Sequence, residues 1–218
     1  VLGLRPSSPL GLMGPRAYMA RHWQRRPLLV RGALPDFAPP LSRTELFALA
    51  ARDSVESRLV RKRGSRWSLA HGPLARSALP PAREPGWTLL VQGVDLHHDG
   101  ARALLEQFRF VPDARLDDLM ISWASDGGGV GPHVDSYDVF LVQARGTRRW
   151  RIARRFDAGL DKRAPLKVLR RFAAEEDYVL EPGDLLYLPP GWAHDGIAEG
   201  GDCMTCSIGM RAPQRGGL

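Results

Sequence analysis

Apolar and polar residues alternate with a period of two through much of the second half of the chain. Arg148, Trp150 and Ile152 oppose Arg149 and Arg151. Cys203, Thr205, Ser207 and Gly209 oppose Met204, Cys206, Ile208 and Met210, and Met120, Ser122 and Ala124 oppose Leu119, Ile121 and Trp123. Side chains two apart share a face of a strand, so each run reads as a strand with one apolar side. The pattern predicts strands over 119–124, 137–143, 148–153, 178–180, 185–188 and 203–210. Turn chemistry separates them at Gly127-Gly128-Gly129, Glu181-Pro182-Gly183-Asp184 and Pro189-Pro190-Gly191. Short strands at this spacing build a sandwich or barrel, not βαβ units.

The first half mixes periods. Residues 1–15 are rich in Pro and Gly and are predicted to be irregular. Arg16 to Arg25 reads as a short helix with Tyr18, Met19, His22 and Trp23 on one side, ended by Pro27. Ser42-Arg43-Thr44-Glu45 is a capping box that opens a helix running to about Arg52. Strands are predicted over 55–60, 66–69 and 87–92, and an amphipathic helix over Asp99 to Phe108 with Asp99 as N-cap. The expected fold is α+β and mainly β: residues 1–112 form an N-terminal portion wrapped onto an all-β core of residues 113–218.

Composition narrows the class. With 218 residues, 44% hydrophobic and 25% charged, the chain fits one large or two small globular domains and excludes a disordered, collagenous or disulfide-dense protein. No apolar run nears the roughly 18 to 20 residues that cross a bilayer, so no membrane role is expected. Val1 to Pro6, broken by Arg5, is no secretory signal, and the missing initiator Met implies sequence upstream. Two cysteines suit a reducing, cytoplasmic location. Net charge is +7, with only Lys62, Lys162 and Lys167 as lysines. Such charge favours a polyanion such as RNA at the basic surface, although an Arg-, Ala- and Pro-rich composition also follows from a GC-rich genome.

Candidate chemistry centres on His133-Val134-Asp135. An imidazole and a carboxylate two apart on a strand face one side, where they can hold a metal ion. His194, in Pro189-Pro190-Gly191-Trp192-Ala193-His194, follows the strand 185–188 and can supply a third ligand. Two His and one carboxylate form the facial triad of non-haem Fe(II) oxygenases. An isolated HxD is more often a surface turn or a core histidine; a Gly-rich turn before one half and a Pro-Gly turn beside the other favour the metal. Arg148 shares a face with Trp150 and Ile152, so its guanidinium points inward and needs an anion. That anion is either an inward Asp in a structural ion pair or, beside an oxygenase site, the distal carboxylate of 2-oxoglutarate. Ser122, Thr205 and Ser207 lie on small, polar strand faces that suit a cosubstrate cavity, or a half-exposed strand.

Other signals carry less. Cys203-x-x-Cys206 places its thiols on opposite faces of a strand, so buried free thiols are expected instead of a zinc site. The glycine run at Gly127 lacks the Gly-Lys-Ser/Thr ending of a phosphate loop. His71, His97 and His98 are expected at the surface or in structural roles, and Arg61-Lys62-Arg63 in a solvated turn.

Two segments, Asp117 to Phe140 around His133-Val134-Asp135, and Leu180 to His194, resemble the JmjC-type cupin oxygenases, and the bacterial ribosomal oxygenases most closely. The likeness extends to Arg21-His22-Trp23-Gln24-Arg25-Arg26-Pro27, Ser57-Arg58-Leu59-Val60 and Gly209-Met210-Arg211-Ala212-Pro213. It implies a double-stranded β-helix, Fe(II), 2-oxoglutarate and O₂. His133, Asp135 and His194 match the metal ligands, and Arg148 the residue for the distal carboxylate. The implied activity is hydroxylation of an arginine in the sixteenth protein of the large ribosomal subunit, with histidine hydroxylation or small-molecule cupin chemistry as alternatives. A catalytically silent ribosome-docking module would tolerate loss of the triad, which is intact here. Asp126, Asp138 and Asp195 are expected to make the cavity mouth acidic. Family members continue into a helical dimerisation region and a winged-helix-like domain; this chain stops at Leu218, which puts the homodimer in doubt.

Overall fold

The computed structural model describes residues 8–211. The predicted irregular start therefore falls partly outside the described residues, as does the end of the Gly209 to Pro213 segment. Three helices, α1 (Pro15–Arg21), α2 (Arg43–Ala50) and α3 (Asp99–Glu106), flank the strands β1 (Leu28–Val30), β2 (Ser57–Arg63), β3 (Arg66–His71), β4 (Trp87–Val91), β5 (Leu116–Ala124), β6 (His133–Val134), β7 (Asp138–Ala153), β8 (Glu176–Leu180), β9 (Leu185–Leu188) and β10 (Ala193–Met210). The strands join antiparallel in the order β1-β9-β7-β10-β5-β4-β2-β3, with β6 added to β10 and β8 to β7. This is the expected double-stranded β-helix, extended by the N-terminal strands through the β4–β5 pairing.

Strand alternation sorts the interior. Leu119, Ile121 and Trp123 of β5 and Met204, Cys206, Ile208 and Met210 of β10 join Leu46, Phe47, Trp87 and Phe140 in one apolar core. The core thus runs unbroken from the N-terminal portion into the barrel. Val139, Leu141, Trp150 and Ile152 of β7 turn to a second cluster with Leu180, Leu186 and Leu188. The opposite faces of β5 and β10 are left for the cavity.

Several elements depart from expectation. The strands predicted over 137–143 and 148–153 are one bent strand, β7, and β10 begins at Ala193 instead of Cys203. Both bend where Gly146, Gly200 and Gly201 take positive φ and the β7–β10 register shifts between Glu199 and Met204. Helix α1 starts with Pro15 in its first turn and stops at Arg21. The chain then turns through Gln24 at φ 55, whose N–H donates to the Tyr187 hydroxyl. The capping box at Ser42 and Glu45 forms as expected, but the N-cap of α3 is His98, whose Nδ1 accepts from the Gly100 N–H. Arg61-Lys62-Arg63 lies in β2, not in a turn: Arg61 and Arg63 pair with Glu84, and Lys62 sits over the Trp67 ring.

Candidate metal centre

Strand β6 pairs with the start of β10 so that His133 and His194 stand directly opposite each other. Opposed residues of an antiparallel pair bring their Cβ atoms within about 5.5 Å, and the two imidazole centroids are 4.2 Å apart. Asp135 completes the group. Its carboxylate lies 3.9 Å from His133 Nε2 and 3.5 Å from His194 Nε2. The three donors fall within 4.8 Å of one another. Metal–ligand bonds of about 2.0 to 2.2 Å place adjacent donors about 3 Å apart, so each of the two Asp135 separations would close by under about 1 Å.

Both imidazoles are oriented for ligation. His133 Nδ1 lies 2.9 Å from the Gly131 carbonyl and His194 Nδ1 lies 3.0 Å from the Trp192 carbonyl. A carbonyl only accepts, so each Nδ1 carries the proton and each Nε2 turns its lone pair toward Asp135. Burial, and then the neighbouring His133, push the His194 pKa down to about 4. It is therefore neutral at physiological pH, the state a metal requires.

The triad opens into a cavity of about 580 Å³. Ser122, Ser207 and Arg148 line it as expected, together with Met120 and Trp150. Arg148 is 4% exposed and its Nη2 has no hydrogen-bond partner among the described residues. Trp150 bridges the two chemistries: its ring lies 5.9 Å from His194 and 5.7 Å below the Arg148 guanidinium carbon. Thr205 is not among the cavity's lining residues; its hydroxyl donates instead to Gln143 Oε1 at 2.9 Å.

The three aspartates expected at the cavity mouth do not line the cavity. Asp138 is buried against the Tyr187 hydroxyl and Gln24, Asp195 is tied to Arg151, and Asp126 holds the Gly200 N–H. Asp117 and Asp118 at the start of β5 line the cavity instead, with Arg58, Gln92 and Tyr137. Asp118 Oδ2 accepts from Gln92 Nε2 at 2.7 Å and from the Gly93 N–H at 2.8 Å, leaving Oδ1 able to accept from a cation. Burial raises the Asp118 pKa. Asp118 shares the face of Met120 and Ser122, so the same alternation identifies it once β5 is begun at Leu116. His71, predicted away from the site, is exposed but lines the cavity opposite Arg58. Cys203 and Cys206 are buried free thiols, as expected.

A double-stranded β-helix in which two histidines and a carboxylate converge on one cavity defines a cupin-type metalloprotein. The JmjC domain model matches residues 103–218, and the chain belongs to the JmjC domain family. It is 43% identical over 197 residues to the ribosomal protein uL16 3-hydroxylase of Escherichia coli (strain K12), covering 90% of this chain and 52% of that protein. The X-ray structure of E. coli ycfD superposes with a TM-score of 0.88 at 41% identity, covering 94% of this chain and 54% of that one. The E. coli ribosomal oxygenase YcfD in complex with cobalt and 2-oxoglutarate superposes with a TM-score of 0.82 at 41% identity, covering 94% and 53%. The chain thus spans about half the length of the relatives it matches.

Proposed function

We propose that this chain is the catalytic unit of an Fe(II)- and 2-oxoglutarate-dependent hydroxylase that acts on an arginine side chain of the large-subunit ribosomal protein uL16. The observation that carries this reading is the convergence of His133, Asp135 and His194 beside a buried Arg148 whose Nη2 lacks a partner among the described residues. The donor set fits Fe(II), and the unpaired guanidinium fits the distal carboxylate of 2-oxoglutarate. Similarity to the uL16 3-hydroxylase and to the YcfD complex with cobalt and 2-oxoglutarate supports the same reading.

When bound, Fe(II) with 2-oxoglutarate and O₂ supplies the oxidation that places one oxygen atom in a C–H bond and the other in succinate, with release of CO₂. The chain's own residues set where that happens. His133 and His194 present their Nε2 atoms, and Asp135 supplies the carboxylate ligand. Arg148 and Trp150 hold the cosubstrate at the inner end of the cavity. Asp118 meets an incoming guanidinium at the mouth, so a methylene of the substrate is presented to the centre.

We place any RNA contact on the basic stretch that follows β7, within the basic surface expected from the sequence. Arg149 pairs with Glu199 and Asp177, and Arg151 with Asp195. The segment 154–171 instead exposes Arg154, Arg155, Lys162, Arg163, Lys167, Arg170 and Arg171. The test of the main proposal incubates a uL16 fragment with the protein, Fe(II) and 2-oxoglutarate, and reads succinate and peptide mass together. Addition of one oxygen atom to an arginine is expected. Oxygen on histidine, or succinate formed only with small molecules, would overturn the substrate assignment.

A further inference from the structure

Arg148 is held by an internal polar network that the triad does not use. Its Nε donates to Cys203 Sγ at 3.4 Å. The same sulfur lies 3.3 Å from Gln143 Nε2. That amide also donates to the carbonyls of Arg145 at 2.9 Å and Gly146 at 3.0 Å. Its oxygen accepts from Thr205 Oγ1, the residue paired with Gln143 across β7 and β10. Gln143 and Cys203 are 0% exposed and Thr205 1%.

Each link fixes the next. The two carbonyls only accept, so the Gln143 NH₂ faces them and the sulfur, and its oxygen is left to accept from Thr205 Oγ1. Cys203 sits where the β7 bend presses on β10; a Cβ on Gly146 would come within 3.2 Å of the Cys203 Cα. The sulfur occupies the Nε–H of Arg148. Trp150 supports the guanidinium on one face. The terminal nitrogens are left for a carboxylate. A free arginine side chain surrenders rotamer freedom when it grips a ligand, and an arginine already fixed surrenders less.

We propose that Thr205, Gln143 and Cys203 form a brace that preorganises Arg148 for the cosubstrate carboxylate, with Cys203 as the positioning residue that sets the guanidinium. This rests on Arg148 being the 2-oxoglutarate residue, and the experiment separates the two claims.

Affinity for 2-oxoglutarate is measured by calorimetry on anaerobic, Mn(II)-loaded protein, with turnover measured on the Fe(II) form. Cys203→Ala should raise the Kd and KM for 2-oxoglutarate about tenfold, the scale of one hydrogen bond to a charged group, with kcat and Mn(II) affinity within about twofold of the parent. Cys203→Ser, whose hydroxyl also accepts, should recover most of the affinity. Thr205→Val should shift Kd in the same direction by a smaller factor, and it keeps the test open should Cys203→Ala fail to fold. In the metal-free protein the Arg148 Nε–H should give a slowly exchanging NMR resonance that Cys203→Ala loses. If Arg148→Ala abolishes 2-oxoglutarate binding while both Cys203→Ala and Thr205→Val leave it unchanged, the brace is wrong and the carboxylate site stands. If Arg148→Ala itself leaves binding unchanged, the underlying assignment fails.

Discussion

A guanidinium that is 4% exposed, with Nη2 bonded to nothing among the described residues, is an expensive thing to bury in a folded chain unless an anion arrives to meet it. Arg148→Ala should therefore abolish 2-oxoglutarate turnover while metal affinity stays within about threefold, because His133, Asp135 and His194 are oriented by backbone carbonyls and strand pairing and not by the arginine. His133→Ala should lose both. Metal titration of the two variants side by side checks this, and equal metal loss in both would mark Arg148 as structural. Asp118 makes a second single-residue case. Burial raises its pKa, and only the ionised form holds a guanidinium. For an arginyl peptide, kcat/KM should fall on the acid side at a higher pH than an exposed carboxylate would impose. Asp118→Asn should erase that limb and raise the peptide KM about tenfold or more. A pH profile with the limb intact in the variant would overturn this role for Asp118.

The element that positions the metal is the loop leading into β6, and it is fastened on two sides. The Leu169 N–H donates to the Pro132 carbonyl at 2.7 Å and the Gly191 N–H to the Asp135 carbonyl at 2.9 Å. Gly131 adopts φ +80, and a Cβ there would meet the Trp67 ring at 2.9 Å. Gly131→Ala should displace the following Pro132 and His133 and weaken metal affinity about tenfold or more. Adding Trp67→Ala should recover part of that loss by removing the clash while leaving the backbone strain, a partial rescue that metal titration can read. The same scale shows what the sequence disclosed. Alternation located β5, the two halves of β7, β9 and the end of β10, and with them Ser122, Arg148 and Ser207. It missed the first half of β10 because Asp195 to Asp202 is acidic and Gly-rich, the composition of a loop. Pairing with β7 makes it a strand: Arg151 meets Asp195 and Arg149 meets Glu199 across the ladder. Gly196 is required there because a Cβ would enter the Trp150 ring at 2.5 Å. β1 and β6 are too short to show a period. Thr205 was assigned to the cavity by parity alone, which does not reveal that a cross-strand glutamine takes its hydroxyl.

For the proposed arginyl substrate, a protein of net charge +7 presents opposed fields at different distances. The cavity mouth carries Asp117 and Asp118, while the segment 154–171, which contributes Leu166 and Lys167 to the cavity wall, is strongly basic outside. An approaching cationic peptide meets the long-range repulsion first and the local carboxylates only on arrival. Salt separates the two. Raising ionic strength from about 0.01 M to about 0.15 M shortens the screening length from about 30 Å to about 8 Å, which removes the outer field and spares contacts inside a partly buried cavity. We therefore expect kcat/KM for an arginyl peptide to rise over this range, and reversing the charge of Lys162 and Arg163 to flatten the rise. Binding of a single-stranded RNA to the same basic face should run the other way and fall steeply with salt, because each phosphate contact releases counterions. The two titrations use one protein and one salt series. Peptide capture that falls with salt as RNA binding does would show that the carboxylates at the mouth, and not the net charge, govern the approach.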